Sequence, residues 1–118
     1  MTVLATYARV YVDDLDTALP TFVELTGEQP NLRFSYRDLE LASIGSYLLI
    51  AGTAEALAPY RDTHATAIVA SIDEILDLAK RTEATITDGP NDVPTGRNLT
   101  VRHPGGAIIE YVQFTETS

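Results

Sequence analysis

Alternating and periodic apolar positions divide the first quarter of the chain into a strand and a helix. Residues 3–12 (VLATYARVYV) are rich in β-branched and aromatic side chains, which suit a pleated surface and predict a β-strand. The next segment, LDTALPTFVELTG, follows a group of aspartates that can cap a helix, and it carries Leu19 and Phe22 at helical spacing. Gly27 ends the predicted helix. We expect Pro20 in or near the first turn, where its missing N–H costs little.

Three short strands are predicted next, and a mixed segment follows them. The strands NLRFSY, DLELASI and SYLLIAG are separated by the turn signals Arg37-Asp38 and Gly45-Ser46. The connection from Ala54 to Thr63 predicts at most one turn of helix before Pro59. The first half of the chain therefore predicts the order strand, helix and three strands.

The same order of elements starts again at residue 64. Residues 64–71 predict a strand, and Ser71 with Glu74 has the spacing of a capping box before a second helix that ends near Thr82. The remaining elements are a short strand, a loop with two prolines and two glycines, and two strands joined by a turn: Ala84–Thr87, Asp88–Gly96, Asn98–Arg102 and Ala107–Phe114. We predict one α+β domain over residues 1–118, with βαβββ modules at about residues 1–53 and 64–118.

Composition narrows the classes of function. The chain has 8 basic and 17 acidic side chains, so it is poorly suited to bind nucleic acid; its net charge of −9 weakly favours a cationic ligand. It has no cysteine, which excludes disulfides and thiolate metal sites. No apolar run approaches the ~20 residues of a membrane span, and the N-terminus lacks the basic region of a signal peptide. We therefore expect a cytoplasmic protein with no nucleic-acid or membrane partner.

Three segments resemble the vicinal oxygen chelate superfamily, which includes glyoxalase I, the bleomycin-resistance proteins and extradiol dioxygenases. Residues 10–19 (VYVDDLDTAL) resemble its first strand and capped helix, and residues 67–74 (AIVASIDE) resemble the counterpart in the second half. Residues 103–113 (HPGGAIIEYVQ) resemble its closing hairpin, usually D-P-x-G-x-x-x-E. The resemblance implies two modules that form open half-barrels around a concave cavity, and it implies a homodimer.

Metal-dependent members of this superfamily place ligands at four strand positions, with histidine frequent at the early ones and glutamate at the late ones. Counting from the matched segments, these positions fall on Tyr7, Ala67, the aliphatic stretch Leu48–Ile50 and Glu110. A catalytic divalent ion needs about three protein ligands, so the resemblance implies no metal or other cofactor here. His64 joins the set only if the register slips, and His103 is expected to support a turn.

Strand alternation and aromatic content supply the candidate ligand-binding residues. Tyr7, Arg9 and Tyr11 share one face of the first strand, and Glu110 lies in an otherwise apolar strand. A charge in a half-closed cavity must be paired or meet a ligand. Arg9 and Glu110 therefore form an ion pair with each other or bind a polar molecule, unless they face solvent. The loop over residues 87–97 is either a lid, with Arg97 or Asn98 meeting a ligand, or a long exposed turn. The predicted ligand-binding residues are Tyr7, Arg9, Tyr11, Phe34, Tyr47, Arg97 and Glu110.

Two functions from different classes fit these observations. The first is a metal-free small-molecule binding protein of the bleomycin-resistance type, which sequesters a drug, such as an antibiotic, or a metabolite in its cavity. The second is a glyoxalase-like isomerase or lyase in which Glu110 is the catalytic base or a metal ligand. The sequence leaves open whether the protein is an enzyme.

Overall fold

The computed structural model describes residues 2–115 and shows two compact units. The N-terminal module comprises Tyr7–Asp62. The C-terminal module comprises the described residues from Thr63 onward together with residues 2–6. The first strand therefore contributes residues to both modules.

The N-terminal module has the predicted order of strand, helix and three strands. Its elements are β1 (Val3–Val12), α1 (Leu15–Thr26), β2 (Leu32–Tyr36), β3 (Leu39–Ile44), β4 (Tyr47–Ala51), the short helix α2 (Ala54–Leu57) and a 3-10 turn (Ala58–Tyr60). The strand order is β2-β3-β4-β1. The pairing of β1 with β4 is parallel, whereas β3 pairs antiparallel with both of its neighbours.

The C-terminal module repeats this arrangement. Its elements are β5 (Ala65–Val69), α3 (Ile72–Thr82), β6 (Thr85–Val93), β7 (Gly96–Arg102) and β8 (Ile108–Phe114). The order is β5-β8-β7-β6, with β5 parallel to β8 and the other pairs antiparallel. The predicted α+β fold with two βαβββ modules is confirmed.

Both ends of α1 carry the caps that the sequence predicts. The carboxylate of Asp14 accepts hydrogen bonds from the backbone N–H of Thr17 at 2.9 Å and from the Thr17 hydroxyl at 2.8 Å. The bond from the Thr17 hydroxyl is the main cause that lowers the pKa of Asp14, and the Thr17 backbone N–H adds to it. Gly27 ends the helix with φ +71°. Pro20 lies beyond the first turn, inside the helix, so the prediction that placed it at the start is wrong.

The start of α3 is capped from a distant strand. Among the described residues, the Ser71 side chain makes no capping bond, so the predicted capping box is wrong. Instead the Gln113 side-chain oxygen accepts from the backbone N–H of Ile72 at 2.8 Å. Gln113 lies on β8, and the tertiary fold therefore supplies a partner that local spacing does not reveal.

The segment predicted as a loop and lid is mostly strand. β6 continues to Val93, and a two-residue turn joins it to β7. The pairing of β6 with β7 shifts register between Ile86 and Asp88 and again between Asp88 and Asn91. Such irregularities accommodate glycine and proline within a ladder, so Gly89 and Pro90 do not end the strand.

Each module buries one face of its sheet against its own helix. Under α1 the core contains Leu15, Leu19, Ala42, Ile44, Leu49 and Ala51. Under α3 it contains Val69, Ile72, Ile75, Ala79, Leu99 and Val101. The other face of the N-terminal sheet carries a second apolar cluster that includes Leu41, Leu48 and Ile50. No helix formed by residues 2–115 has the length and hydrophobicity that a membrane span requires.

The close approach at Gly96 makes a specific prediction about stability. An alanine Cβ there would lie 2.1 Å from the Gln113 backbone oxygen, and φ is +146°. We expect Gly96→Ala to lower the free energy of unfolding by about 3 kcal/mol or more, because backbone must move to relieve the overlap. Urea denaturation measures this change.

Gly105→Ala is the matched control, since Gly105 has φ +92° but no atom within 4 Å of the added Cβ in the described structure. Its cost should be about 1 kcal/mol, from backbone strain alone. Equal losses in the two variants would contradict the packing that we describe at Gly96.

Candidate functional site

Glu110 lies in the middle of β8, on the sheet face that points away from α3. It is opposite Thr66 on β5 and Thr100 on β7. Its neighbours Ile109 and Tyr111 pack with the core under α3. The alternation of side chains predicted for this strand is therefore confirmed, and Glu110 is half-buried on the helix-free face.

Both carboxylate oxygens of Glu110 accept hydrogen bonds from neutral side chains. The Thr66 hydroxyl donates to Oε1 at 2.9 Å, and the Asn98 side-chain amide donates to Oε2 at 2.8 Å. Thr66 is 3% exposed and Asn98 is 5% exposed. Two buried donors therefore fix the orientation of a half-buried carboxylate.

The hydrogen bonds continue from Asn98 to β6. The Asn91 side-chain amide donates to the Asn98 side-chain oxygen and to the Asp88 carboxylate, each at 3.1 Å. We call Asp88, Asn91, Asn98, Thr66 and Glu110 the Glu110 network. Its hydrogen bonds run across four adjacent strands and give each of the two amides a partner, as buried polar groups require.

The positions predicted for metal ligands do not form a metal centre. Ala67 packs in the core under α3, so the ligand position assigned to it is wrong. The helices α1 and α3 begin 57 residues apart, at Leu15 and Ile72, and the same offset relates Tyr7 to His64. His64 is exposed, and its Nδ1 accepts from the backbone N–H of residue 108 at 3.0 Å.

Residues 2–115 contain no group of three or more His, Cys, Asp or Glu side chains placed to hold a metal ion. A catalytic metal site needs about three protein ligands and an open position, and the side chains at the predicted ligand positions do not supply three. The arrangement instead suits hydrogen bonding to a ligand by a fixed carboxylate.

A second polar group lies in the N-terminal module, on the sheet face opposite α1. Arg9 donates to the Tyr11 hydroxyl at 3.0 Å and to the Tyr60 backbone oxygen at 3.5 Å. The Tyr11 hydroxyl also donates to the Tyr60 oxygen. Arg9 and Tyr11 are half-buried. The predicted ion pair between Arg9 and Glu110 stays a prediction.

The other predicted ligand-binding residues lie on different faces. Tyr7 and Phe34 are half-buried against the apolar cluster on the face opposite α1. Tyr47 packs in the core under α1, where its ring meets Phe22 edge-on at 5.0 Å between centroids. Arg97 alternates with Asn98 on β7, so it points to the face opposite the Glu110 network. Tyr47 therefore lies on the opposite face of its sheet from Tyr7 and Phe34, and Arg97 lies on the opposite face of its sheet from Glu110.

His103 supports the last hairpin, as its sequence position predicts. Its Nε2 lies 2.6 Å from the Tyr111 hydroxyl, and the two rings meet edge-on. Its backbone N–H donates to the Ala107 oxygen across the turn. Burial raises the pKa of Tyr111 above its ordinary value of 10.0.

Several residues of these two groups were not predicted from the sequence. Thr66 was not predicted, and Asn98 was predicted to meet a ligand but not to bond Glu110. Both share the face of Glu110 by strand pairing, which becomes visible only when the strand order is known. Asn91 and Asp88 lie in the segment predicted as a loop. Tyr60 lies in a connection with mixed signals, so nothing in its pattern indicated a contact with the first strand.

The fold and much of the sequence are shared with a protein of known structure. A scan against protein-family models and a search of curated proteins find no match. Among solved structures, an uncharacterized protein from Methanosarcina mazei is 41% identical, with a TM-score of 0.90 over 100% of this chain and 98% of that one.

Methylmalonyl-CoA epimerase from Mycobacterium tuberculosis is 17% identical, with a TM-score of 0.77 over 97% of this chain and 90% of that one. A variant of the Streptomyces coelicolor enzyme, in complex with 2-nitronate-propionyl-CoA, is 16% identical with a TM-score of 0.75 over 100% and 99%. At these identities the epimerases share the fold. The chain belongs to the family of the Methanosarcina mazei protein, and it has the fold of the methylmalonyl-CoA epimerases.

Proposed function

We propose that this chain is a small-molecule binding protein of the bleomycin-resistance type, which holds its ligand through Glu110 and sequesters it without a metal. The observation that carries the proposal is a half-buried carboxylate in an apolar strand, fixed through both oxygens by Thr66 and Asn98. Buried donors that fix a carboxylate before any ligand arrives are the preorganisation that a binding site uses. This arrangement supports a role for Glu110 in holding a ligand.

The orientation of Glu110 before binding favours recognition of a hydrogen-bond donor. Each carboxylate oxygen has two lone pairs, so it can accept from a neutral side chain and from a ligand N–H or O–H. Thr66 and Asn98 are buried and hold the carboxylate, so little side-chain freedom is lost on binding. A cationic or hydroxyl-bearing drug or metabolite is the ligand class that this carboxylate suits.

A second candidate function is an isomerase in which Glu110 is the catalytic base. The epimerase folds of the structural neighbours favour this alternative. In such a reaction the Glu110 carboxylate takes a proton from a carbon next to a carbonyl group, which leaves an enolate. The protonated Glu110 returns the proton to the same carbon after the enolate has turned its other face toward the carboxyl group. The remaining network residues would orient the carboxylate and carry no proton.

The variant Glu110→Gln tests the binding proposal, because it removes a charge and keeps the shape of the side chain. With metal-free bleomycin as the probe, we expect the binding free energy to weaken by about 1.5–3 kcal/mol, the scale of a hydrogen bond to a charged group. Isothermal titration calorimetry in the presence of EDTA measures the affinity.

Glu74→Gln is the control, since Glu74 is exposed on α3 and its loss changes the net charge equally. Equal affinities of the two variants would contradict a role for Glu110 in binding. Deuterium uptake from heavy water into methylmalonyl-CoA, lost in Glu110→Gln and kept in Glu74→Gln, would instead establish the isomerase.

We also propose that two copies of the chain associate. Large apolar side chains are exposed on the C-terminal module, and Leu4 on β1 is the most exposed of them, at 68%. Equilibrium sedimentation at micromolar concentration should give twice the chain mass of 12.8 kDa, and Leu4→Asp should shift the protein toward monomer.

Leu25→Asp is the control for this surface, because Leu25 on α1 is 67% exposed. A monomer in the unmodified protein, or equal dissociation by both substitutions, would reject the assignment. A cytoplasmic location and a role in antibiotic resistance stay predictions.

A further inference from the structure

Arginine and tyrosine side chains gather on one part of the N-terminal module. The chain has seven arginines, and three of them take part. We call this group the arginine–tyrosine cluster: Arg9, Arg37, Arg61, Tyr11, Tyr36 and Tyr60. In a chain with a net charge of −9, this concentration of cationic groups needs an explanation.

Two of the guanidinium groups lie over tyrosine rings. The Arg37 guanidinium carbon is 4.8 Å from the centroid of the Tyr36 ring, and its Nη1 donates to the Tyr60 hydroxyl at 3.0 Å. The Arg61 guanidinium carbon is 5.5 Å from the centroid of the Tyr11 ring. Stacking on a ring restricts the orientation of the planar guanidinium.

Hydrogen bonds connect the members of the cluster through Tyr11 and Tyr60. Arg9 donates to the Tyr11 hydroxyl, which donates to the Tyr60 backbone oxygen. The Tyr60 hydroxyl in turn accepts from Arg37. The 3-10 turn that carries Tyr60 therefore joins β1 to the turn between β2 and β3.

The acidic residues beside the cluster do not neutralise Arg61. Arg61 is exposed and forms no ion pair with any residue that the structure describes. Within the same range, Asp38 and Asp62 also form none. Arg33 of the same module is different, because it lies 3.0 Å from the Asp16 carboxylate. Arg33 is therefore paired with a carboxylate, whereas Arg61 has no carboxylate partner among the described residues.

The backbone at Arg37 adopts a conformation that its side chain disfavours. Arg37 has φ +54° and begins the two-residue turn between β2 and β3, a position where glycine or asparagine is favoured. Strained residues of this kind cluster at ligand-binding sites, where the side chain has a use that offsets the strain. At Arg37 the strained residue is the one whose guanidinium lies over the Tyr36 ring.

We propose that the arginine–tyrosine cluster binds the anionic group of a flat organic molecule. A carboxylate, sulfonate or phosphate group contacts the guanidinium N–H groups, for which arginine has matching geometry. The apolar ring of the ligand lies against the half-buried aromatic side chains of the same face, such as Tyr7 and Phe34. This site belongs to the N-terminal module and does not depend on the function proposed for Glu110.

The test uses a pair of fluorescent probes that differ in charge. The probe 8-anilino-1-naphthalenesulfonate carries a sulfonate, and N-phenyl-1-naphthylamine has the same rings without it. The unmodified protein should bind the anion saturably and more tightly than the neutral probe. Raising the salt concentration from about 0.05 M to about 0.5 M should weaken only the binding of the anion.

Arg61→Gln removes one guanidinium and should weaken binding of the anionic probe about tenfold, the lower end of the scale for a hydrogen bond to a charged group. Arg81→Gln is the matched control, since Arg81 is exposed on α3 and the change in net charge is the same. Neither substitution should change binding of the neutral probe.

Arg37→Gly separates a binding role from a structural one. Glycine relieves the strain at φ +54°, so the melting temperature should stay the same or rise while the affinity for the anionic probe falls about tenfold. Equal affinities of Arg61→Gln and Arg81→Gln for the anion would overturn the proposal. So would unchanged affinity in Arg37→Gly, or equal affinity of the unmodified protein for both probes.

Discussion

The hydrogen bond from Asn98 to Glu110 is the interaction on which the candidate site depends. It joins β7 to β8 through side chains, and the residues on either side of Glu110 in β8 are apolar. Asn98 is buried, so its amide must find both a donor and an acceptor within the protein. It finds them in Asn91 and Glu110, which makes the carboxylate part of a satisfied network and fixes where it points. The pairing of three strands thus determines the chemistry that this face presents.

The two modules have the same topology but different chemistry on the face opposite their helices. In the N-terminal module this face is aromatic and carries Arg9 beside Tyr11. In the C-terminal module the equivalent face carries a carboxylate held by Thr66 and Asn98. Strand pairing shows the relation directly, because Arg9 lies opposite Leu48 as Thr66 lies opposite Glu110. A repeated backbone therefore carries two different sets of side chains, and function must be argued from each set.

Much of the fold could be predicted from the sequence because its signals are local. Period-two alternation in β1 and β8 separated the helix-facing side chains from Tyr11 and Glu110, and the Asp14 and Gly27 caps bounded α1. The features that were missed depend on residues distant in the chain. Gln113 caps α3 across more than 40 residues, which no capping-box spacing reveals. Thr66 and Asn98 reach Glu110 only because β8 lies between their strands.

A double-mutant cycle between Asn98 and Glu110 measures the central interaction most directly. The variants Asn98→Leu, Glu110→Leu and the double variant are compared with the unmodified protein by urea denaturation, with Asn98 and the exposed Glu74 as the distant control pair. Each single replacement breaks the hydrogen bond between the two side chains, whereas the separate losses of the bonds from Asn91 to Asn98 and from Thr66 to Glu110 cancel in the cycle. We expect a coupling energy of about 1–2 kcal/mol for Asn98 with Glu110 and additive effects for the control pair. Effects of Asn98 and Glu110 that add to within about 0.3 kcal/mol would contradict the account.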